Sequence, residues 1–168
     1  MSLFSRLVDE SNLPTYSKRI DILSPISGAV KNLDEVDQPL FQQRLFGEGV
    51  AIDTSGYQLF SPFDAKVLEF KETAHRIVVK DKHGLRVQIQ FGAASHKLFG
   101  ESFKRKVRVG EIVKQGQILL EFDPRKLRLA LECPIFFVTL LNSDKVRGVS
   151  LKRQKVSAGE DILFSVFI

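Results

Sequence analysis

His75-Arg76-Ile77-Val78-Val79-Lys80, then Asp81-Lys82-His83-Gly84, then Leu85-Arg86-Val87-Gln88-Ile89-Gln90-Phe91 read as two alternating strands joined by a turn that opens on Asp and closes on Gly. A four-residue loop pairs Lys80 with Leu85, Ile77 with Gln88 and His75 with Gln90. Alternation puts Leu85, Val87, Ile89 and Phe91 on one face, toward a core. Arg86, Gln88 and Gln90 take the other face, with His75 beside them. Directly opposed residues have Cβ atoms about 5 Å apart, so His75 and Gln90 are placed to touch one small group. On the residues alone this is a surface histidine beside a glutamine, and a hydrogen-bonded pair with no chemistry accounts for it.

Working outward, the same texture fills most of the chain. From Ile20 onward, short β-rich runs alternate with Gly, Pro, Asp and Ser, which predicts an all-β antiparallel sandwich or barrel over residues 20–168. One short helix is expected after Asp123-Pro124, where Asp caps, Pro opens and RKLRLAL follows. Residues 24–33, SPISGAVKNL, resemble residues 61–70, SPFDAKVLEF, and suggest a duplicated hairpin unit. Residues 1–19 read as a leader. Leu3, Phe4, Leu7 and Val8 share one face of a helical turn, and this apolar patch over residues 3–8 is large enough only for weak membrane contact.

Composition bounds the rest. The 168 residues suit one globular domain, with 14 Phe and no Trp. No apolar run spans a bilayer, no secretory leader is evident, and the single Cys133 makes no internal disulfide, so a cytoplasmic location is the expectation. The net charge is +5, and residues 101–160 hold 13 Lys or Arg against 7 Asp or Glu. No helix or aromatic array gathers these charges into a groove, which argues for a solvated surface and against nucleic acid. No HxH or CxxC pairing is present, so no metal and no cofactor is expected.

The segments SPISGAV (24–30), LFQQRLFGEGVAI (40–52), SPFDAKV (61–67), KETAH (71–75), QFG (90–92), LFGESF (98–103) and VGEIVKQGQILLEFD (109–123) together resemble the glucose-type IIA domain of the sugar phosphotransferase system. The resemblance runs from Ile22 to about Ser143 and implies a compact antiparallel β-sandwich. It also implies receipt of a phosphoryl group from the carrier HPr and delivery to a membrane sugar permease. One histidine accepts the phosphate and a second supports it. The match gives the supporting role to His75, with Thr73 behind it, and puts the acceptor at position 90, which is Gln90. A zinc that the paired histidines bind in this family would lose one ligand. The HxxxD and HxH sets of the cell-wall zinc endopeptidases, which share the architecture, are absent.

A phosphorelay needs a nucleophilic nitrogen, and an amide nitrogen conjugated with its carbonyl is not one. The surroundings also depart from the family. Phe41 stays at an aromatic rim position, with Leu40 and Phe46 near it in sequence. Lys71 and Gln88 stand where the resemblance implies phenylalanine, and Ala94 where it implies aspartate. The basic charge opposes a donor face that is itself positive. Three functions follow as candidates: a regulatory or partner-binding module whose partner is HPr-like or a permease; a working carrier that uses His75 or His96; and a small-ligand binder at the former phosphate pocket.

Overall fold

The computed structural model describes residues 5–71, 73, 75–92, 103–130, 135–152 and 154–168. Their strands are β1 (Arg19–Leu23), β2 (Gly28–Asn32), β3 (Glu48–Thr54), β4 (Gln58–Phe60), β5 (Ala65–Phe70), β6 (Arg76–Lys80), β7 (Arg86–Phe91), β8 (Phe103–Arg105), β9 (Ile112–Val113), β10 (Ile118–Phe122), β11 (Ile135–Leu140), β12 (Gly148–Leu151), β13 (Lys155–Val156) and β14 (Ile162–Phe167). All pairings between these strands are antiparallel. The all-β antiparallel expectation is met. Helix α2 (Pro124–Ala130) starts as its sequence predicts, with Asp123 Oδ1 accepting from Arg125 N (2.9 Å) and Lys126 N (3.3 Å). A second short helix, α1 (Pro39–Gln42), was not expected; Pro39 fits its first turn.

The faint repeat proves to organise the whole fold. One eight-stranded sheet runs β13-β2-β3-β11-β7-β6-β5-β9, and two three-stranded sheets run β1-β14-β12 and β4-β10-β8. Exchanging β2 with β5, β3 with β6, β11 with β7 and β13 with β9 maps the large sheet onto itself, and the same exchange swaps the small sheets. The two Ser-Pro turns are made alike. Ser24 Oγ donates to Ile26 O and Ser61 Oγ to Phe63 O, both at 2.7 Å. Each serine carbonyl then accepts from a glycine of a later turn, Gly159 N at 2.8 Å and Gly116 N at 2.9 Å.

The main core lies on one face of the large sheet. Val50, Ile52, Ile77, Val79, Val87, Ile89, Phe91, Phe136 and Val138 meet Ile22, Leu119, Leu120, Val149, Phe164 and Val166 there. Alternation sends Ala51, Ile135 and Phe137 to the opposite face, where Leu33 and Phe41 cover them. The covering segment is fastened by Arg44, whose side chain is 5% exposed. Arg44 Nε donates to Glu48 Oε1 (2.6 Å), and Nη1 and Nη2 donate to the two Asp34 oxygens (3.0 Å each). Glu48, itself 1% exposed, also accepts from Ser5 Oγ and Arg6 N at 3.0 Å.

The Arg44 fork holds the Asp34 carboxyl below the usual carboxylate range. A depressed folded-state pKa contributes stability above the unfolded value, about 3.9, and loses it as pH falls through the folded value. The stability difference between wild type and Asp34→Asn is therefore expected to be level down to about pH 5 and to shrink below about pH 4. Urea titrations across that range check this.

The leader differs from its reading. Residues 5–8 are extended: Leu7 bridges Val149 in parallel, Val8 N donates to Val149 O (3.0 Å) and Val149 N to Arg6 O (2.8 Å). The spacing of Leu3, Phe4, Leu7 and Val8 suits a helix; Leu3 and Phe4 lie outside the described residues, and for Leu7 and Val8 the free edge of β12 offers backbone partners that one isolated turn cannot match. No helix among the described residues is long and apolar enough to cross a membrane.

Candidate functional site

The β6–β7 hairpin sits inside the large sheet, between β11 and β5, with one register change. Lys80 pairs with Arg86, Ile77 with Ile89 and Arg76 with Gln90. The loop is Lys82-His83-Gly84, closed by Asp81 N donating to Leu85 O (3.0 Å). Gly84 has φ 88°, which a side chain disfavours, and Asp81 Oδ1 accepts from His83 N (2.9 Å) and Leu85 N (2.8 Å). This three-residue turn shifts the expected pairing by one. The neighbour directly opposite Gln90 is Arg76, and His75 lies across from Phe91, whose N donates to His75 O (2.9 Å).

His75 precedes β6 and is half-buried, and its Nδ1 is hydrogen-bonded to Thr73 Oγ1, the partner that the sequence reading gave it. Gln90 is half-buried too. On its other side it pairs with Phe137 of β11, and Phe137 stacks on Phe41 with ring centroids 3.8 Å apart. Phe46 lies against Phe41 at 5.1 Å. Leu40, from the same short helix, is 53% exposed, and Lys71 is exposed at the end of β5. The structure thus brings Phe41, Phe137, Gln90 and Arg76 into one neighbourhood. Ala94 and His96 lie outside the described residues. Leu45, 64% exposed on the covering segment, was not singled out from the sequence.

Gln88 departs from its expected outward exposure. It is fully buried, donates from Nε2 to Gln90 Oε1 (3.1 Å), and pairs in register with Thr139. Among the described residues its Oε1 and the Thr139 hydroxyl find no partner, nor does Nε of Arg76. Arg76 Nη2 meets Glu69 Oε2 at 3.4 Å. Arg76, Glu69 and Thr139 were missed in sequence. Arg76 could have been found by reading Asp-Lys-His-Gly-Leu as a three-residue turn. No group of three or more His, Cys, Asp or Glu side chains among the described residues is placed to hold a metal.

Comparison with known proteins agrees with this architecture. Residues 20–146 match the family described as the phosphoenolpyruvate-dependent sugar phosphotransferase system, EIIA 1. The glucose-specific EIIA component of Bacillus cereus is 35% identical over 128 residues, 76% of this chain and 78% of that protein. That of Haemophilus influenzae is 28% identical over 166 residues, 99% of both. A lactose permease of Lactobacillus delbrueckii is 35% identical over 132 residues, 78% of this chain but 21% of the permease. Among solved structures, glucose permease IIA from Mycoplasma capricolum superposes with a TM-score of 0.80 at 21% identity, covering 89% of this chain and 96% of that one. This chain belongs to the phosphoenolpyruvate-dependent sugar phosphotransferase system EIIA 1 family.

Proposed function

We propose that the chain is a member of this family that carries no phosphoryl group and works as a regulatory module, docking a protein partner in the cytoplasm through the face around Gln90. The observation that carries this reading is Gln90 itself, an amide where the family resemblance implies the accepting imidazole. The lone pair of an amide nitrogen is delocalised into the carbonyl, so it is not a nucleophile toward phosphorus. Two further features support it: Gln90 already accepts a hydrogen bond from buried Gln88, and the exposed Lys71 stands where the resemblance implies an aromatic rim. The partner is an HPr-like carrier or a sugar permease, and the match to part of a lactose permease favours keeping both in view.

The test is transfer of labelled phosphate from phosphoenolpyruvate through enzyme I and HPr. Wild type is expected to stay unlabelled under conditions that label a glucose-specific EIIA component fully. Gln90→His alone is expected to recover a small fraction, because the exposed Lys71 still stands where the resemblance implies an aromatic rim. Stoichiometric label on wild type, at His75 or His96, would return the chain to the working carriers. Full labelling of the single variant would leave Gln90 as the sole block.

A further inference from the structure

The row of side chains that crosses the large sheet at Gln90 contains two cations. Lys71 N donates to Arg76 O (3.2 Å), continuing the Phe70–Ile77 pairing and setting Lys71 opposite Arg76. Arg76 in turn is opposite Gln90, and Gln90 opposite Phe137. Directly opposed residues of antiparallel strands share a face with Cβ atoms about 5 Å apart. Lys71, Arg76 and Gln90 therefore form a contiguous run that ends against the Phe137–Phe41 stack.

Each member of the run offers donors, and the one side-chain acceptor among them, Gln90 Oε1, is engaged by Gln88. Like charges directly opposite one another destabilise a sheet. Glu69 offsets this only in part: it reaches Arg76 Nη2 at 3.4 Å, leaving Nε without an acceptor, and Lys71 has no acidic side chain in contact among the described residues. The buried Gln88 amide engages Gln90 Oε1, so the free end of Gln90 is its NH2 group. A guanidinium fork, an ammonium and an amide NH2 on one patch match a tetrahedral group with three acceptor oxygens and close to two negative charges.

We infer that Lys71, Arg76 and the Gln90 amide form a site that holds a phosphoryl dianion without bonding to it. The inference rests on the reading of Gln90 as a residue that accepts no phosphoryl group. The dianion is supplied either as free phosphate or on a phosphorylated side chain of a docking protein, and Glu69 is the internal carboxylate it displaces from Arg76.

Calorimetric titration of the full chain with inorganic phosphate, against chloride at matched ionic strength, tests the site. Saturable binding is expected in wild type. Losing a charged hydrogen-bond donor makes Arg76→Gln at least about tenfold weaker and Lys71→Gln about threefold weaker. Arg76→Lys, which keeps the charge and loses the fork, falls between, and Lys104→Gln, in a different sheet, binds as wild type does. Wild type that ignores phosphate overturns the proposal, as does Arg76→Gln or Arg76→Lys, folded by circular dichroism, binding phosphate with unchanged affinity. A parallel titration with HPr in its phosphorylated and unphosphorylated forms separates the sources. Tighter binding of the phosphorylated form by about tenfold or more assigns the site to a partner's phosphoryl group, and equal binding of both forms assigns it to free phosphate. Intact mass after each titration keeps the two readings apart. A phosphoryl adduct on the chain refutes the non-carrier function, while the phosphate titration alone decides the site.

Discussion

Arg44→Ala is expected to lower the unfolding free energy by about 3–5 kcal/mol, the cost of stranding one partner of a buried ion pair. The loss comes from Glu48. With Arg44 gone, a carboxylate that is 1% exposed keeps, among the described residues, only Ser5 Oγ and Arg6 N as donors to its charge. The same substitution frees Asp34 and removes donors to the Phe41 and Gln42 carbonyls, at 3.3 and 2.7 Å. For a chain of this size the melting temperature should fall by about 10 °C. Replacing the pair by apolar side chains, Arg44→Met with Glu48→Leu, is expected to recover most of the loss, because neither charge is then buried alone. Urea unfolding of the three variants decides it. A single variant within about 1 kcal/mol of wild type would mean that the buried pair is not what fastens the covering segment.

Phe137→Ala is expected to cost about 3–5 kcal/mol as well, by a different route. Phe137 is fully buried on the small apolar face and stacks against Phe41, so truncation leaves a void bounded by Leu33, Phe41, Ala51 and Ile135. Helix α1 has only four residues and little stability of its own, so it depends on that contact. Amide exchange of residues 39–44 should therefore rise together with the global loss. A cost below about 1 kcal/mol, with exchange unchanged, would show that the face collapses around the void.

Much of the fold was legible because pleating is strict. Leu85, Val87, Ile89 and Phe91 alternate inward as their spacing requires, and all four are buried. Register was harder to read. It turned on whether Gly84 closed a loop of four residues or of three, and that one-residue choice put Arg76 rather than His75 opposite Gln90. The burial of Gln88 was not legible either. Its position on the polar side of the strand says outward, whereas that side of the sheet also carries a small apolar cluster around Phe41 and Phe137 that the strand's own pattern does not announce. The apolar spacing of residues 3–8 was read as helical; Leu3 and Phe4 lie outside the described residues, and the partner that decides Leu7 and Val8, the edge of β12, lies some 140 residues away.

The nested duplication has a consequence for how the chain acquires its shape. One copy, from β4 to β10, is continuous, while the other is split across β1–β3 and β11–β14. The inner copy contains the tight β6–β7 hairpin and can begin from local contacts on a microsecond scale. The outer copy must bring Arg19 to Phe167 before β1 and β14 pair. Closing a loop about thirty times longer adds about 3 kcal/mol of chain entropy. The inner copy should therefore act as the template, with β3 and β11 added to β7 and the β1–β14 ladder zipped last. Slow, single-ended refolding follows, and substitutions in β1 or β14 should speed unfolding while leaving the refolding rate almost untouched.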